Sequence, residues 1–445
     1  MTDASPPPPE LRRSMGLVRS TAMVVGTILG ASIFVQPSLI TGAVRSVGGV
    51  FVVWTLGGAL TLCGALIAAE LTSAYPESGG VYVFLRRAFS PAAGFLWAWA
   101  MFWSMHSGII AAIAVVFARY VAYFAPLGAT GIRAVAIGAI LGLSAVNYRG
   151  VALGSGVQTA FTIAKVLAVV AIIAVGFALG GGGGHAPSGA GAVAGPAVGV
   201  MPFAAAVGAG LFAFGGWHMV TYTAGETRDP RRTIPRALVA GTLIVTVAYL
   251  ALNAVYLYVL PLERVVASER IAADAADTVL GGGGGAVMSA LVAGSAFGGL
   301  AGIVLTGPRV YFSVARDGRW LRWLGSVHPT LRTPHRAIAL QAVWSSVLVA
   351  TGTYGALVGR VIYTEWIFFA AMAVGLVLLR RRAEYAPAFR VPGGPVVPFV
   401  FAVCAALVAA SQIVADWRHS MVGLLLVVAG LPVYALGTPR QGSEA

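Results

Sequence analysis

The chain has 445 residues, of which 58% are hydrophobic and only 10% charged, and its mean hydropathy is +0.86. Soluble chains carry about 25% charged residues, so no soluble core accounts for this much apolar sequence. The net charge of +14 would suggest nucleic acid in a soluble protein, but here the arginines lie between apolar stretches and mark topology, so no nucleic-acid partner is expected.

Residues 1–14, with Pro6 to Pro9 and little to bury, read as a disordered tail. The first apolar stretch is too long for a cleavable signal and runs on toward another, so it is expected to remain in the mature chain. Apolar windows of about 20 residues fall at 17–43, 48–74, 92–124, 131–147, 154–179, 199–225, 236–260, 286–315, 336–354, 360–379, 396–415 and 420–437. Read as twelve spans with the N-terminus inside, they leave 21 arginines on the inner side and seven on the outer. The positive-inside rule then predicts a multi-pass membrane protein with both termini in the cytoplasm. Glycine is abundant, at 58 residues, which suits close helix approach in lipid.

Two windows are interrupted near their middles. The first contains Val25-Gly26-Thr27-Ile28-Leu29-Gly30-Ala31-Ser32-Ile33-Phe34, and the sixth contains Gly208 to Trp217 with Gly215-Gly216. A paired break, one in each half of a many-helix chain, points to a transporter's central site. Unwound backbone exposes N–H and C=O groups that hydrocarbon cannot satisfy but a zwitterion can. Between the fifth and sixth windows, Gly180 to Gly184 and the Gly/Ala/Pro run after it form a flexible outer connection. The segment Glu263 to Leu280 holds Arg270 to Asp277, a short helix that serves either as an outer lid or as an ordinary amphipathic surface helix.

The break at Val25 to Phe34, the run Ala69-Glu70-Leu71-Thr72-Ser73-Ala74-Tyr75-Pro76-Glu77-Ser78-Gly79-Gly80, the Phe212 to Trp217 break and the ending Gly430-Leu431-Pro432-Val433-Tyr434 together resemble the amino acid–polyamine–organocation superfamily. Within it the chain is most similar to the L-type amino acid transporter branch and its bacterial relatives. The resemblance implies an all-α membrane protein with a five-plus-five inverted repeat, discontinuous helices 1 and 6, and two further helices. The segments are then 1–14, a tail; 15–180, the first repeat; 181–198, the outer loop; 199–382, the second repeat; 395–437, the last two helices; and 438–445, a second tail. It also implies a substrate carboxylate held at Thr27, Gly30, Ala31 and Ser32, and an amino group held by carbonyls at Val25, Phe212, Ala213 and Gly215. This chain reads Gly30-Ala31-Ser32 where the family reads Gly-Ser-Gly, so a Cβ at both later positions narrows the space above them.

Lys165, the one lysine, lies about eleven residues into its window, roughly 16 Å from the inner end. The resemblance implies that its ammonium replaces a sodium ion beside the first break; the alternative is a purely structural cation tying helices together. Phe212 matches an aromatic gate above the substrate. Glu365 falls where relatives line the side-chain pocket, and either faces the substrate, pairs with a histidine or is hydrated near the outer surface. Glu70 and Glu226, at inner helix ends beside arginine-rich loops, are inner-gate ion-pair partners or static anchors. His106 and His218 read as histidines bonded to neighbouring helices.

The six histidines show no i, i+4 pairing and there is no phosphate-binding glycine loop, so a membrane-embedded enzyme or an ATP-driven pump is disfavoured. Cys63 and Cys404 both fall inside predicted helices with no metal-ligand spacing, so no metal, cofactor or disulfide-linked partner is expected. The expectation is a sodium-independent secondary carrier of α-amino acids, foremost a neutral amino acid exchanger. A proton-coupled or cationic amino acid or polyamine permease is the alternative.

Overall fold

The computed structural model describes residues 15–77, 79–149, 154–180, 198–316, 322–331 and 333–437; among them the chain is helical and contains no β-strand. Every apolar window carries helix. The first holds α1 (Leu17–Ile28), a 3₁₀ turn (Ala31–Phe34) and α2 (Gln36–Val44). There follow α3 (Val47–Ala74), the short α4 (Val81–Ala88), α5 (Pro91–Ala100), α6 (His106–Val121), α7 (Ala129–Arg149) and α8 (Gly154–Leu179). The sixth window holds α9 (Val200–Ala213) and a 3₁₀ segment (Trp217–Glu226). Next come α10 (Pro230–Val259), α11 (Leu262–Ala267), α12 (Ile271–Leu280), α13 (Gly284–Arg316) and α14 (His335–Thr351). The chain ends with α15 (Tyr354–Leu379), α16 (Val396–Ala415), α17 (Trp417–Val428) and α18 (Gly430–Gly437).

Among the described residues eight helices are long and apolar enough to cross a membrane, and a ninth span forms if α9 and the segment after it, bent by 42°, are taken together. The first window passes no such test as a single helix, because α1 stops after 12 residues. That is only about 18 Å of helix against a hydrocarbon layer of about 30 Å. The protein is a multi-pass membrane protein. Both tails and residues 181–197 of the glycine-rich connection lie outside the described residues.

Side chains close the helix starts. Ser46 caps α3 at the Gly49 N–H, Ser90 caps α5 ahead of Pro91, and Thr353 caps α15. The core packs α3 against α10, α15 against α16, α13 against α6, and α1 against α10. Trp54, Trp97 and Trp217 are fully buried at its centre, while Val247, Phe399 and Leu425 face outward, as lipid permits. Between α5 and α6 the helix widens to a π turn over Met101–Met105, where the Ser107 hydroxyl donates to the Phe102 carbonyl at 2.6 Å. Ser104 on this turn bonds Thr364 of α15 at 2.7 Å.

Candidate functional site

The two breaks touch. At the first, the Leu29 N–H closes back on the Val25 carbonyl at 2.8 Å, and Gly30 is extended before the 3₁₀ turn begins at Ala31. The N–H groups that open such a turn have no carbonyl within it to bond, and they carry the positive end of its dipole. Here they belong to the buried residues Ala31 and Ser32. At the second break, Gly215 donates to the Phe212 carbonyl at 3.1 Å and Gly216 adopts φ +96, a left-handed conformation that glycine alone enters freely. A Cβ on Gly216 would lie 2.9 Å from the Thr27 carbonyl oxygen, so the glycine also lets the two backbones meet.

Tyr249 of α10 joins them. Its hydroxyl lies 2.8 Å from the Ile28 carbonyl and 3.0 Å from the Ala213 carbonyl, one proton shared between an acceptor on each break. The ring is fully buried, 5.0 Å from Phe214 and 5.4 Å from Trp54 between ring centres. Sequence reasoning missed this residue. The only signal was a tyrosine within a long apolar helix, which more often packs than binds.

The Val25 carbonyl accepts from the Leu29 N–H, and the Ile28 carbonyl accepts from the Gly30 N–H at 2.5 Å as well as from Tyr249. Thr27 turns its hydroxyl back onto the Met23 and Val24 carbonyls, at 2.9 and 3.0 Å. Gly30, Ala31 and Ser32 lie together at the first break, and Phe212, Ala213 and Gly215 at the second. Phe212 is partly buried, whereas Phe214 is the aromatic locked into the core.

Beyond the second break, His218 sits in an aromatic box. Its ring lies 5.8 Å from Trp97, 5.5 Å from Trp217, 5.6 Å from Tyr222 and 5.2 Å from Phe369. Glu365 of α15 is buried. Among the described residues Glu365 forms no ion pair with a histidine. His106 bonds the Ile303 carbonyl of α13 through Nε2 at 3.0 Å, a helix-to-helix tie.

At the arginine-rich side, Glu70 is fully buried at the end of α3. It accepts from Arg380 at both oxygens, from the Val391 N–H at 2.6 Å and from the Tyr385 hydroxyl at 3.3 Å. The bond to Glu70 raises the Arg380 guanidinium above its ordinary range, and burial followed by the Glu70 charge pushes the Tyr385 phenol up. Nearby, Glu77 pairs with Arg87 at 2.6 Å and Arg86 at 3.3 Å. Lys165 belongs to α8 and Glu226 to the 3₁₀ segment, but both side chains lie outside the described residues.

The segment Glu263 to Leu280 contains α12, which buries Ile271, Ala272 and Ala273. Asp277 accepts from the Tyr123 hydroxyl at 3.0 Å and the Gly285 N–H at 2.6 Å, while Arg270 lies over the Tyr123 ring. Among the described residues no group of three or more His, Cys, Asp or Glu side chains could hold a metal ion.

Residues 15–432 match the family model described as "Amino acid permease". The chain is 32% identical to the serine/threonine exchanger SteT of Bacillus subtilis, over 97% of this chain and 98% of that one. It is 31% identical to the Asc-type amino acid transporter 1 of Mus musculus, over 96% and 81%. With the b(0,+)-type amino acid transporter 1 of Homo sapiens it shares 29% identity, over 96% and 88%.

Proposed function

This chain belongs to the amino acid permease family, and from that premise we propose that it is a sodium-independent exchanger of neutral α-amino acids working by alternating access. The relatives it matches over nearly their whole length are transporters and exchangers rather than enzymes, and one is an exchanger of serine and threonine. The observation that carries the reading is the contact of the two breaks, where Gly216 lies against Thr27 and Tyr249 spans Ile28 and Ala213. Opening amides at Ala31 and Ser32 suit a carboxylate. The carbonyls of Val25, Phe212, Ala213 and Gly215 are the ones we assign to an ammonium group a few ångströms away.

The proposal includes twelve spans in two inverted halves, 15–180 and 199–382, followed by two helices in 395–437. It places both termini in the cytoplasm of a bacterial inner membrane. Lys165 stands in for a sodium ion, Phe212 gates the substrate from one side, and Glu70 and Glu226 act at the inner side. Proteoliposomes test the whole reading. Labelled serine or alanine should enter faster when the lumen holds unlabelled amino acid, external sodium should change nothing, and Lys165→Ala should abolish uptake in an inserted protein. Amino acid amides and decarboxylated amines should not compete; competition by an amine as strong as by its parent amino acid would move the protein toward polyamine transport. The buried Glu365 favours a second reading, a permease for cationic amino acids.

A further inference from the structure

At the end of α15 opposite Arg380, α15, α16 and α17 line an open cleft of about 200 Å³, in which the Asp416 and His419 side chains are exposed. None of its lining residues comes from α1, α9 or the 3₁₀ segments of the breaks, so it is separate from the central site. The space arises because α15 presents Gly355, Ala356 and Gly359 to it. A Cβ on Gly355 would meet nothing within 4 Å, and one on Gly359 only the Gln412 amide oxygen at 3.4 Å.

The polar groups around this space are unevenly satisfied. Arg360 lines it, and among the described residues no carboxylate pairs with its guanidinium. Tyr363 also lines it and is 2% exposed, yet its hydroxyl has no hydrogen-bond partner among the described residues. A buried hydroxyl left unpaired is costly, so an acceptor supplied from outside the chain would satisfy it. On the far wall the Asp416 carboxylate holds His419 Nδ1 at 2.9 Å and keeps further lone pairs for a donor.

We infer that this cleft binds a zwitterion carrying an anionic group and a primary ammonium, with the anion on Arg360 and Tyr363 and the ammonium on Asp416. We take a phospholipid headgroup rather than a soluble molecule as the source, because Arg360 follows the first residue of α15, Tyr354, by six positions and so lies within the first two turns of an apolar span. Trp417, 60% exposed at the start of α17, marks the same level as an interfacial aromatic. The ammonium requirement selects phosphatidylethanolamine over phosphatidylcholine, whose quaternary nitrogen donates no hydrogen bond.

The test uses the full-length protein in nanodiscs of phosphatidylethanolamine or phosphatidylcholine, and in phosphatidylcholine discs titrated with O-phosphoethanolamine. The readout is the ligand-dependent rise in melting temperature within each variant, which a variant's own stability does not confuse. Arg360→Gln and Asp416→Asn should each weaken headgroup affinity about tenfold, the effect of one charge-assisted hydrogen bond. Tyr363→Phe should weaken it less, and Gly359→Leu should abolish it by filling the space. A rise with phosphatidylethanolamine alone that these variants remove assigns the site to lipid. A rise with O-phosphoethanolamine that they remove supports the same site and assigns it to a soluble zwitterion. Equal rises in wild type and all four variants, or no rise from either source, overturns the inference.

Discussion

Glu70 is fully buried, and Arg380, 310 positions later in the chain, reaches both of its oxygens, with Nε at 2.8 Å and an η nitrogen at 2.5 Å. With the Val391 N–H on the same carboxylate, the end of α3 is riveted to the segment that joins α15 to α16. Arg380→Ala should cost about 3–5 kcal/mol, because it strands a buried charge. Replacing both partners with Glu70→Leu and Arg380→Met should recover only part of that loss, because the Val391 N–H and the Tyr385 hydroxyl then lose their acceptor. Thermal unfolding of the two single variants and the double variant measures the coupling. Additive losses would show that the pair contributes nothing as a pair.

Tyr249→Phe keeps the ring against Trp54 and Phe214 and deletes only the hydroxyl that joins Ile28 to Ala213. One buried hydrogen bond contributes about 0.5–1.5 kcal/mol, so the variant should insert and fold. Transport should fall by roughly tenfold at most, in step with that energy. Uptake kinetics in proteoliposomes decide the point: unchanged KM and maximal rate would mean that the bond does not hold the breaks together.

Gly216→Ala should be far more damaging than its size suggests. The left-handed conformation costs about 1–2 kcal/mol for an L-residue, and the new Cβ would press on the Thr27 carbonyl. Gly128→Ala, at a position with nothing within 4 Å, is the control. Gly216→Ala should give little folded protein or no transport while the control matches wild type, as fluorescence-detected size exclusion and uptake would report.

Glu365 decides the breadth of substrate choice. Opposite charges ~4 Å apart interact by roughly 4 kcal/mol at an effective dielectric of 20, before desolvation is subtracted. An ionised Glu365 beside the substrate would therefore prefer arginine or lysine by tenfold or more. The neutral assignment expects alanine, serine and leucine to exceed arginine, with little change in Glu365→Gln. Efficient arginine uptake that vanishes in the glutamine variant would reverse it.

The legible part of this molecule was local. Apolar runs set the helices, and Gly30 and Gly215-Gly216 located both interruptions, because hydrocarbon leaves a break no place to hide among polar residues. The residues that unite those interruptions were not legible. Tyr249 lies 221 positions from Ile28, and nothing around it in α10 distinguishes its hydroxyl from that of a packing tyrosine. Glu70 announced an ion pair through the arginines near it in the inner loops, yet its partner follows α15, beyond any local pattern.

The π turn at Met101–Met105 sets the rotational phase of everything after it. A π turn takes up one residue more than an α turn over the same arc, so relaxing it to α without deleting a residue would swing His106, Ser107 and Gly108 about 100° around the axis relative to Phe95, Trp97 and Trp99, whereas deleting one residue along with the relaxation would leave their phase unchanged. His106 would lose Ile303, and Gly108 would leave the face where a Cβ would crowd Val361. Five residues without any charge thus act as a gear between the two halves of one helix.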